Sequence, residues 1–274
     1  MAKTMQVIKT IQAGCITERS MYTRIERGDS AQARAAKKEC STQARKLSNH
    51  RTLQRSLYFT MATNFKLTDF FLTLTFDDRQ LPTRRKEVMQ RVDKFVRHLR
   101  KHRLLRGQDM RYIYCIESKH GDGRYHVHMV LNSTGQDVEA ICSLWDGGFV
   151  DWEYIGWTKN HGKLEYRGDK GYKVLARYMT KEIQPVGARS YSGSKNLARP
   201  TVTISLLPDN EVERRELFKV PEDAKQTEYQ EFRNEWGLFR FISFYRKTES
   251  AIIPEDHPSL YEGEDRIIFR GPFK

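Results

Sequence analysis

The sequence has few cysteines and no long apolar segment. None of its apolar runs approaches the ~20 residues that a membrane-spanning helix needs, so we expect no membrane partner. The four cysteines are far apart and form no CxxC pair, so we expect reduced thiols rather than a disulfide framework, with Cys115 and Cys142 buried. A GxxxxGK[ST] phosphate loop is also absent, which argues against an attached motor driven by nucleoside triphosphates. The 274 residues suffice for one core domain with extensions, or for two small domains.

The N-terminal residues lack the pattern of a secretory signal. Lys9 and Gln12 interrupt the apolar part, and no small-residue cleavage pattern follows. We therefore expect a mature protein that begins near Met1 and acts in the cytoplasm of a bacterial or host cell.

Acidic residues are scarce in the first half of the chain, whose formal net charge is +13 overall. Residues 19–66 carry 11 Lys and Arg against 3 Asp and Glu, and residues 79–106 carry 11 against 2, whereas residues 205–274 carry 11 against 15. One such run is usually a solvated helix face, but two in one chain favour contact with nucleic acid. The candidate phosphate contacts are Arg45, Lys46, Arg51, Arg55, Arg97, Lys101 and Arg106.

Hydrophobic periodicity predicts alternating strands and helices in the middle of the chain. The predicted order is a strand at 69–78, a helix at 88–99, a hairpin of strands at 111–117 and 124–131, a helix at 136–145, a strand at 149–155 and a helix at 169–183. This order predicts an α+β fold in which a mainly antiparallel sheet is covered by helices. We divide the chain into a basic helical N-terminal extension (1–64), a core domain (65–207) and a C-terminal extension (208–274) to which the sequence assigns no role.

Two histidines in the strand YHVHMVL are separated by one residue. Residues i and i+2 of a strand project to the same face, so His126 and His128 stand side by side. Glu117 ends the preceding strand of the predicted hairpin, and cross-strand neighbours lie ~5 Å apart at Cβ. Two imidazoles and a carboxylate can bind one cation and leave positions open for catalysis, with His120 as a further possible donor. The alternatives are two structural rings and a solvated strand end.

Tyr178 and Lys181 lie three residues apart in ARYMTKE and therefore share a face of the predicted helix. A phenol with a pKa near 10 is a poor nucleophile, but a nearby ammonium would favour the phenolate, and a metal ion would polarise the target. Such pairs are also common on ordinary helix surfaces, and that interpretation stays open.

These motifs follow the order and spacing of those in the rolling-circle replication initiators of the HUH endonuclease superfamily. The matching segments are FLTLTF (71–76), Glu117 with HVH (126–128), and YMTK (178–181). SGSKNLARP (192–200) resembles a segment that follows the tyrosine helix in this group. Over residues 65–205 the chain looks most like the replication-associated proteins of small bacteriophages and plasmids.

The resemblance implies a five-stranded antiparallel sheet with the histidine pair on a central strand. It also implies Mg²⁺ or Mn²⁺ held by His126, His128 and Glu117, with Tyr178 as nucleophile and Lys181 orienting the phosphate or stabilising its charge. Such enzymes nick single-stranded DNA at a replication origin, keep the 5′ end as a phosphotyrosine and release a 3′-OH primer. The implied partners are single-stranded and origin DNA, a host helicase and a DNA polymerase.

The sequence departs from relatives that carry two tyrosines one helical turn apart. Val174 occupies the position four before Tyr178, and Tyr172 is ~120° out of register, so we predict a single-tyrosine enzyme. Two other interpretations stay open. A transposase or plasmid-mobilisation relaxase would share the chemistry, and a non-catalytic DNA-binding protein would use the HVH strand structurally.

Overall fold

The computed structural model describes residues 3–26, 43–118, 124–135, 137–160, 163–168, 170–182, 189–208, 210–235 and 237–246. These residues form two compact units. The central unit contains Asn64–Leu197, and the terminal unit combines Met1–Thr63 with Ala198–Glu249.

Twelve strands and five helices make up the described part of the chain. The strands are β1 (Lys3–Ala13), β2 (Ile16–Glu26), β3 (Phe70–Leu74), β4 (Tyr112–Ser118), β5 (Tyr125–Leu131), β6 (Val150–Tyr154), β7 (Trp157–Asn160), β8 (Lys163–Tyr166), β9 (Ser192–Gly193), β10 (Thr201–Leu206), β11 (Ala224–Asn234) and β12 (Gly237–Arg246). The helices are α1 (Gln43–Asn64), α2 (Arg85–Leu104), α3 (Val138–Leu144), α4 (Lys170–Met179) and α5 (Glu211–Glu216).

The central unit is built on a five-stranded antiparallel sheet in the order β6-β3-β5-β4-β9. The histidine strand β5 lies in the middle, and Val127 and Met129 are fully buried. Each predicted element between residues 69 and 183 is present with similar bounds. The predicted α+β fold with a five-stranded antiparallel sheet and covering helices is confirmed.

Helix α2 covers the face of this sheet opposite to the histidines. Its apolar residues recur every three or four positions, and Val88, Val92, Phe95 and Leu99 are buried. Tyr114 of β4 alternates with the residues that share the histidine face, and Asp93 of α2 is close enough to help raise the pKa of Tyr114, after burial as the main cause.

The C-terminal end of α2 is anchored by a buried arginine. Arg103 belongs to the second basic run, but its side chain is fully buried and forms an ion pair with Asp137. Its guanidinium also donates to the side-chain oxygen and the carbonyl of Asn132 at 2.9 and 2.8 Å. A buried charge must be paired and hydrogen-bonded, so Arg103 has a structural task and is not free to contact DNA.

The terminal unit contains a second five-stranded sheet, in the order β10-β1-β2-β12-β11. Gly14, at φ +55, closes the β1–β2 turn, and a Cβ there would lie 2.0 Å from the carbonyl oxygen of Ala62 in α1. A core cluster that includes Ile8, Met21 and Ile242 packs between strands from both ends of the chain.

This arrangement differs from the predicted helical N-terminal extension. Residues 3–26 are strands, and within the described residues the segment up to 64 is helical only from Gln43 to Asn64. β-branched residues such as Val7, Ile8 and Ile11 favour a strand here. The predicted core strand at 201–206 also pairs with β1 of the terminal unit rather than with the central sheet.

Two further findings concern the described residues. The β7–β8 hairpin was not predicted, because its polar residues give no clear alternation. No helix among the described residues is long and apolar enough to cross a membrane.

Candidate active site

Two rows of side chains cross one face of the central sheet, which we call the site face. Glu117 of β4 pairs with His126 of β5 in one row. In the next row, Cys115 of β4 pairs with His128 of β5, which pairs with Thr73 of β3. Because alternate residues of a strand project to the same side, all five side chains share the site face.

His128 is the centre of the cluster and is 2% exposed. Its Nε2 lies 2.6 Å from Oε2 of Glu117 and 3.2 Å from the hydroxyl of Tyr178. Its Nδ1 lies 3.3 Å from Oγ1 of Thr73, and its ring stacks on Phe71 with centroids 5.8 Å apart. Burial lowers the pKa of His128 despite the neighbouring carboxylate, so the imidazole is neutral at neutral pH and can act as a metal ligand.

Glu117 joins the histidine to the tyrosine helix. The ammonium of Lys181 lies 2.5 Å from Oε1 of Glu117, while Oε2 faces His128. Burial by itself would raise the pKa of Glu117, but the hydrogen bonds from Lys181 and His128 outweigh it and lower the pKa. The side chain is therefore an ionised carboxylate at neutral pH.

Tyr178 lies in the last turn of α4 and is 38% exposed. The ammonium of Lys181 lies 4.2 Å from the centroid of its ring. Nevertheless the pKa of Tyr178 is raised, first by burial and then by the negative charge of Glu117, and the favourable effect of Lys181 does not offset them. Lys181 therefore does not by itself produce a phenolate, and the phenol keeps its proton at neutral pH.

Helix α4 presents Tyr178 because its opposite stripe is buried. Gly171 at its start packs so closely on Ile155 that a Cβ would lie 2.1 Å from the Ile155 carbonyl oxygen. The Tyr172 hydroxyl donates to the carbonyl of Phe65 at 2.7 Å. The helix therefore runs over the site face from the end of β6 to His128, which leaves the beginning of β6 uncovered.

The predicted ligand set has suitable chemistry for Mg²⁺ or Mn²⁺, namely one carboxylate and two imidazoles on one face. The ring centroids of His126 and His128 are 6.4 Å apart. Within the described ranges, however, no three His, Cys, Asp or Glu side chains form a preformed metal site. A cation at Nε2 of His128 would compete with the proton shared with Glu117 for the same lone pair. His120, the further possible donor, lies outside the described residues.

The basic residues of the second run lie away from this cluster. Arg97 and Lys101 are exposed on α2, the helix that covers the opposite face of the sheet. Arg106 follows that helix, is exposed, and donates to the carbonyl of His102 at 3.0 Å. Contact between these residues and DNA therefore stays a prediction that concerns a surface other than the site face.

The basic residues of the first run lie on α1 of the terminal unit. Arg45, Lys46 and Arg51 are exposed. Arg55 forms an ion pair with Glu18 of β2, and its guanidinium lies 5.2 Å from the centroid of the Phe59 ring. Arg55 therefore takes part in holding α1 on the terminal sheet, which the charge pattern alone did not predict.

Sequence reasoning missed the residues that support the cluster. We assigned no chemistry to Thr73, yet its hydroxyl is the neighbour of Nδ1 in His128. Phe71 packs against both His128 and Tyr178, the latter with centroids 6.1 Å apart. The alternation of FLTLTF could have indicated that Phe71 and Thr73 share the site face, but not which histidine they contact.

Comparison with protein-family models identifies the middle of the chain. Residues 69–183, somewhat less than half of the sequence, match the model of a family described as replication-associated protein ORF2. Searches of curated proteins and of solved structures found no match. The family match spans the described cluster from Phe71 to Lys181 and confirms the predicted resemblance to replication-associated proteins.

Proposed function

From the match of residues 69–183 to the family of replication-associated proteins, we propose a metal-dependent enzyme that nicks and rejoins single-stranded DNA to initiate rolling-circle replication. The family match supports the role in replication. The observation that carries the chemistry is the distance of 3.2 Å between the Tyr178 hydroxyl and Nε2 of His128. It brings a nucleophilic oxygen to the group of side chains that would bind the metal ion.

The reaction transfers one phosphoryl bond. The Tyr178 oxygen attacks the phosphorus, the bond from phosphorus to the 3′ oxygen breaks, the phenol loses its proton and the 3′ oxygen gains one. The products are a 5′-phosphotyrosine and a free 3′-OH. The bond energy is conserved, so attack by a 3′-OH on the phosphotyrosine rejoins the strand.

The residues of the cluster would take separate tasks. Mg²⁺ or Mn²⁺ held by Glu117, His126 and His128 would polarise a non-bridging phosphate oxygen and offset the negative charge that raises the pKa of Tyr178. Lys181 carries a positive charge beside the Tyr178 ring, where it would stabilise the charge that develops on the phosphate. Thr73 would hold the Nδ1 side of His128.

The proposal also assigns partners. Single-stranded origin DNA is the substrate, a host helicase separates the strands, and a host DNA polymerase extends the 3′-OH. Since Val174 stands one turn before Tyr178, a second subunit or water would complete termination.

The test uses the full chain and a pool of random-sequence single-stranded DNA of one length with Mn²⁺. We expect shortened strands and a covalent protein–DNA adduct, both abolished by excess chelator. Cleavage that persists in chelator would contradict metal dependence. Retention of DNA without any cleavage would instead favour a non-catalytic DNA-binding protein.

A further inference from the structure

The beginning of β6 is the open part of the site face, and it carries an exposed aromatic ring. Phe149, the residue before β6, is 41% exposed, whereas Val150 is buried. Asp151 is exposed as well. Because α4 begins at the other end of β6, near Ile155, it leaves both Phe149 and Asp151 uncovered.

The strand register relates these two residues to the cluster. Thr73 pairs with His128 on one side and with Asp151 on the other, so Asp151 lies in the row of His128. Two residues further along β3, the Thr75 amide donates to the Phe149 carbonyl at 2.9 Å, which continues the same register. At about 4.8 Å per strand, Asp151 and Phe149 lie roughly 10 Å from the histidine strand on the same face.

The charges on this strand favour a base over a phosphate. Asp151 and Glu153 both project to the site face from β6, and their carboxylates disfavour the negative backbone. The positive charge near the cluster comes from Lys181, on the other side of His128. A strand whose scissile phosphate lies at the cluster would thus direct a neighbouring base towards β6.

The two side chains complement an unpaired base. An exposed phenyl ring is a platform on which any base can stack. A carboxylate accepts hydrogen bonds from amino groups, such as N4 of cytosine, which thymine lacks. No hydrogen bond or ion pair within the described residues engages the Asp151 carboxylate, so it is available to accept one.

We propose that Phe149 and Asp151 form a base-binding subsite beside the scissile phosphate. Phe149 stacks on one unpaired base, and Asp151 accepts a hydrogen bond from an amino group on that base. The subsite excludes thymine at this position and so contributes to the choice of cleavage sequence. This inference rests on the proposed function, because the strand must be held at the cluster.

The test begins with selection from the random single-stranded DNA pool in the presence of Mn²⁺. Strands captured covalently by the unmodified chain and by Asp151→Ala are sequenced. We expect thymine to be depleted at one position near the linked nucleotide for the unmodified chain, and this depletion to vanish for Asp151→Ala.

Binding measurements then test the stacking. A selected oligonucleotide is titrated against Tyr178→Phe, which cannot cleave it, and against the same variant with Phe149→Ala. We expect the second variant to bind roughly 5- to 100-fold more weakly. An abasic site at the contacted position should weaken the first variant only, and Phe149→Trp should restore affinity.

The matched control is Met89→Ala, which removes a side chain that is 43% exposed on α2, the helix over the opposite face. It should bind like the parent. If Phe149→Ala fails to fold, Phe149→Leu, which keeps apolar bulk without an aromatic face, decides the question. Unchanged affinity and base preference in the Phe149 and Asp151 variants would overturn the subsite. An adduct formed by the unmodified chain would still support the proposed function in that case, whereas capture of no strand at all would overturn both.

Discussion

Each unit of this molecule holds a carboxylate on a strand against a cation from a helical segment, and the two pairs are similarly exposed. Glu18 of β2 pairs with Arg55 of α1 at 11% and 51% side-chain exposure, and Glu117 of β4 pairs with Lys181 at 15% and 42%. Across the strands, however, Glu18 faces Ile11 and Ser243, whereas Glu117 faces His126.

The difference teaches where the chemistry resides. An ion pair of this kind fastens a helical segment to a sheet in both units. Only in the central unit does the carboxylate also contact an imidazole, His128, that itself contacts a phenol, Tyr178. The charge pair is therefore a structural device common to both sheets, and reactivity comes from the imidazole and the phenol beside it.

The largest effect is expected from removal of the nucleophile. Tyr178→Phe should abolish both nicking and the covalent adduct, because no oxygen remains to attack the phosphate. Gel analysis of labelled single-stranded DNA measures both. Tyr166→Phe, a change in an exposed tyrosine of β8, should nick normally. An adduct that persists in Tyr178→Phe would show that another residue is the nucleophile.

Neutralising the two carboxylates separates the units. Glu117→Gln should slow nicking by about 10³-fold, because the metal ion loses its only anionic ligand among those proposed. Glu18→Gln should leave the rate per folded molecule unchanged and lower the free energy of unfolding by about 1 kcal/mol. Single-turnover kinetics and urea unfolding measure the two quantities. Equal loss of nicking in both variants would break the comparison.

Removing the two cations gives a smaller contrast. Lys181→Ala should slow nicking by about 10²-fold, because the charge beside Tyr178 is lost. Arg55→Ala should affect only stability, through its ion pair with Glu18 and its position over the Phe59 ring. A nicking rate for Lys181→Ala equal to that of Arg55→Ala would reduce Lys181 to a structural partner of Glu117.

The smallest effect concerns pH. Burial lowers the pKa of His128 in the folded chain below the ~6.5 of the unfolded chain, so the unfolded state binds more protons as the pH falls below that value. Stability should therefore decline through this window, and His128→Gln should flatten the decline. Urea unfolding in chelator above and below pH ~6.5 measures it, with the exposed His98→Gln as the control that should retain the slope.

The central unit could be predicted largely from sequence because its elements follow local patterns. The hairpin of β4 and β5 fixes Glu117 opposite His126, and three residues along a helix separate Tyr178 from Lys181. Neither relation depends on distant parts of the chain. The cysteines behaved similarly, since Cys115 and Cys142 are buried free thiols as predicted.

The rest depends on contacts between distant segments. The terminal sheet pairs β2 with β12, more than two hundred residues later, and no local pattern specifies such a partner. The raised pKa of Tyr178 results from burial and from the placement of Glu117, which are tertiary properties. The burial of Arg103 likewise follows from Asn132 and Asp137 and not from the basic run that contains it.

The most direct test of the account is mass spectrometry of the covalent product. The full chain is incubated with single-stranded DNA and Mn²⁺, digested with a protease and a nuclease, and searched for a peptide that carries a nucleotide. The account predicts one modified peptide, linked through a 5′-phosphate at Tyr178 and absent when chelator is added. A nucleotide linked to any other residue, or nicked DNA without a linked peptide, would contradict it.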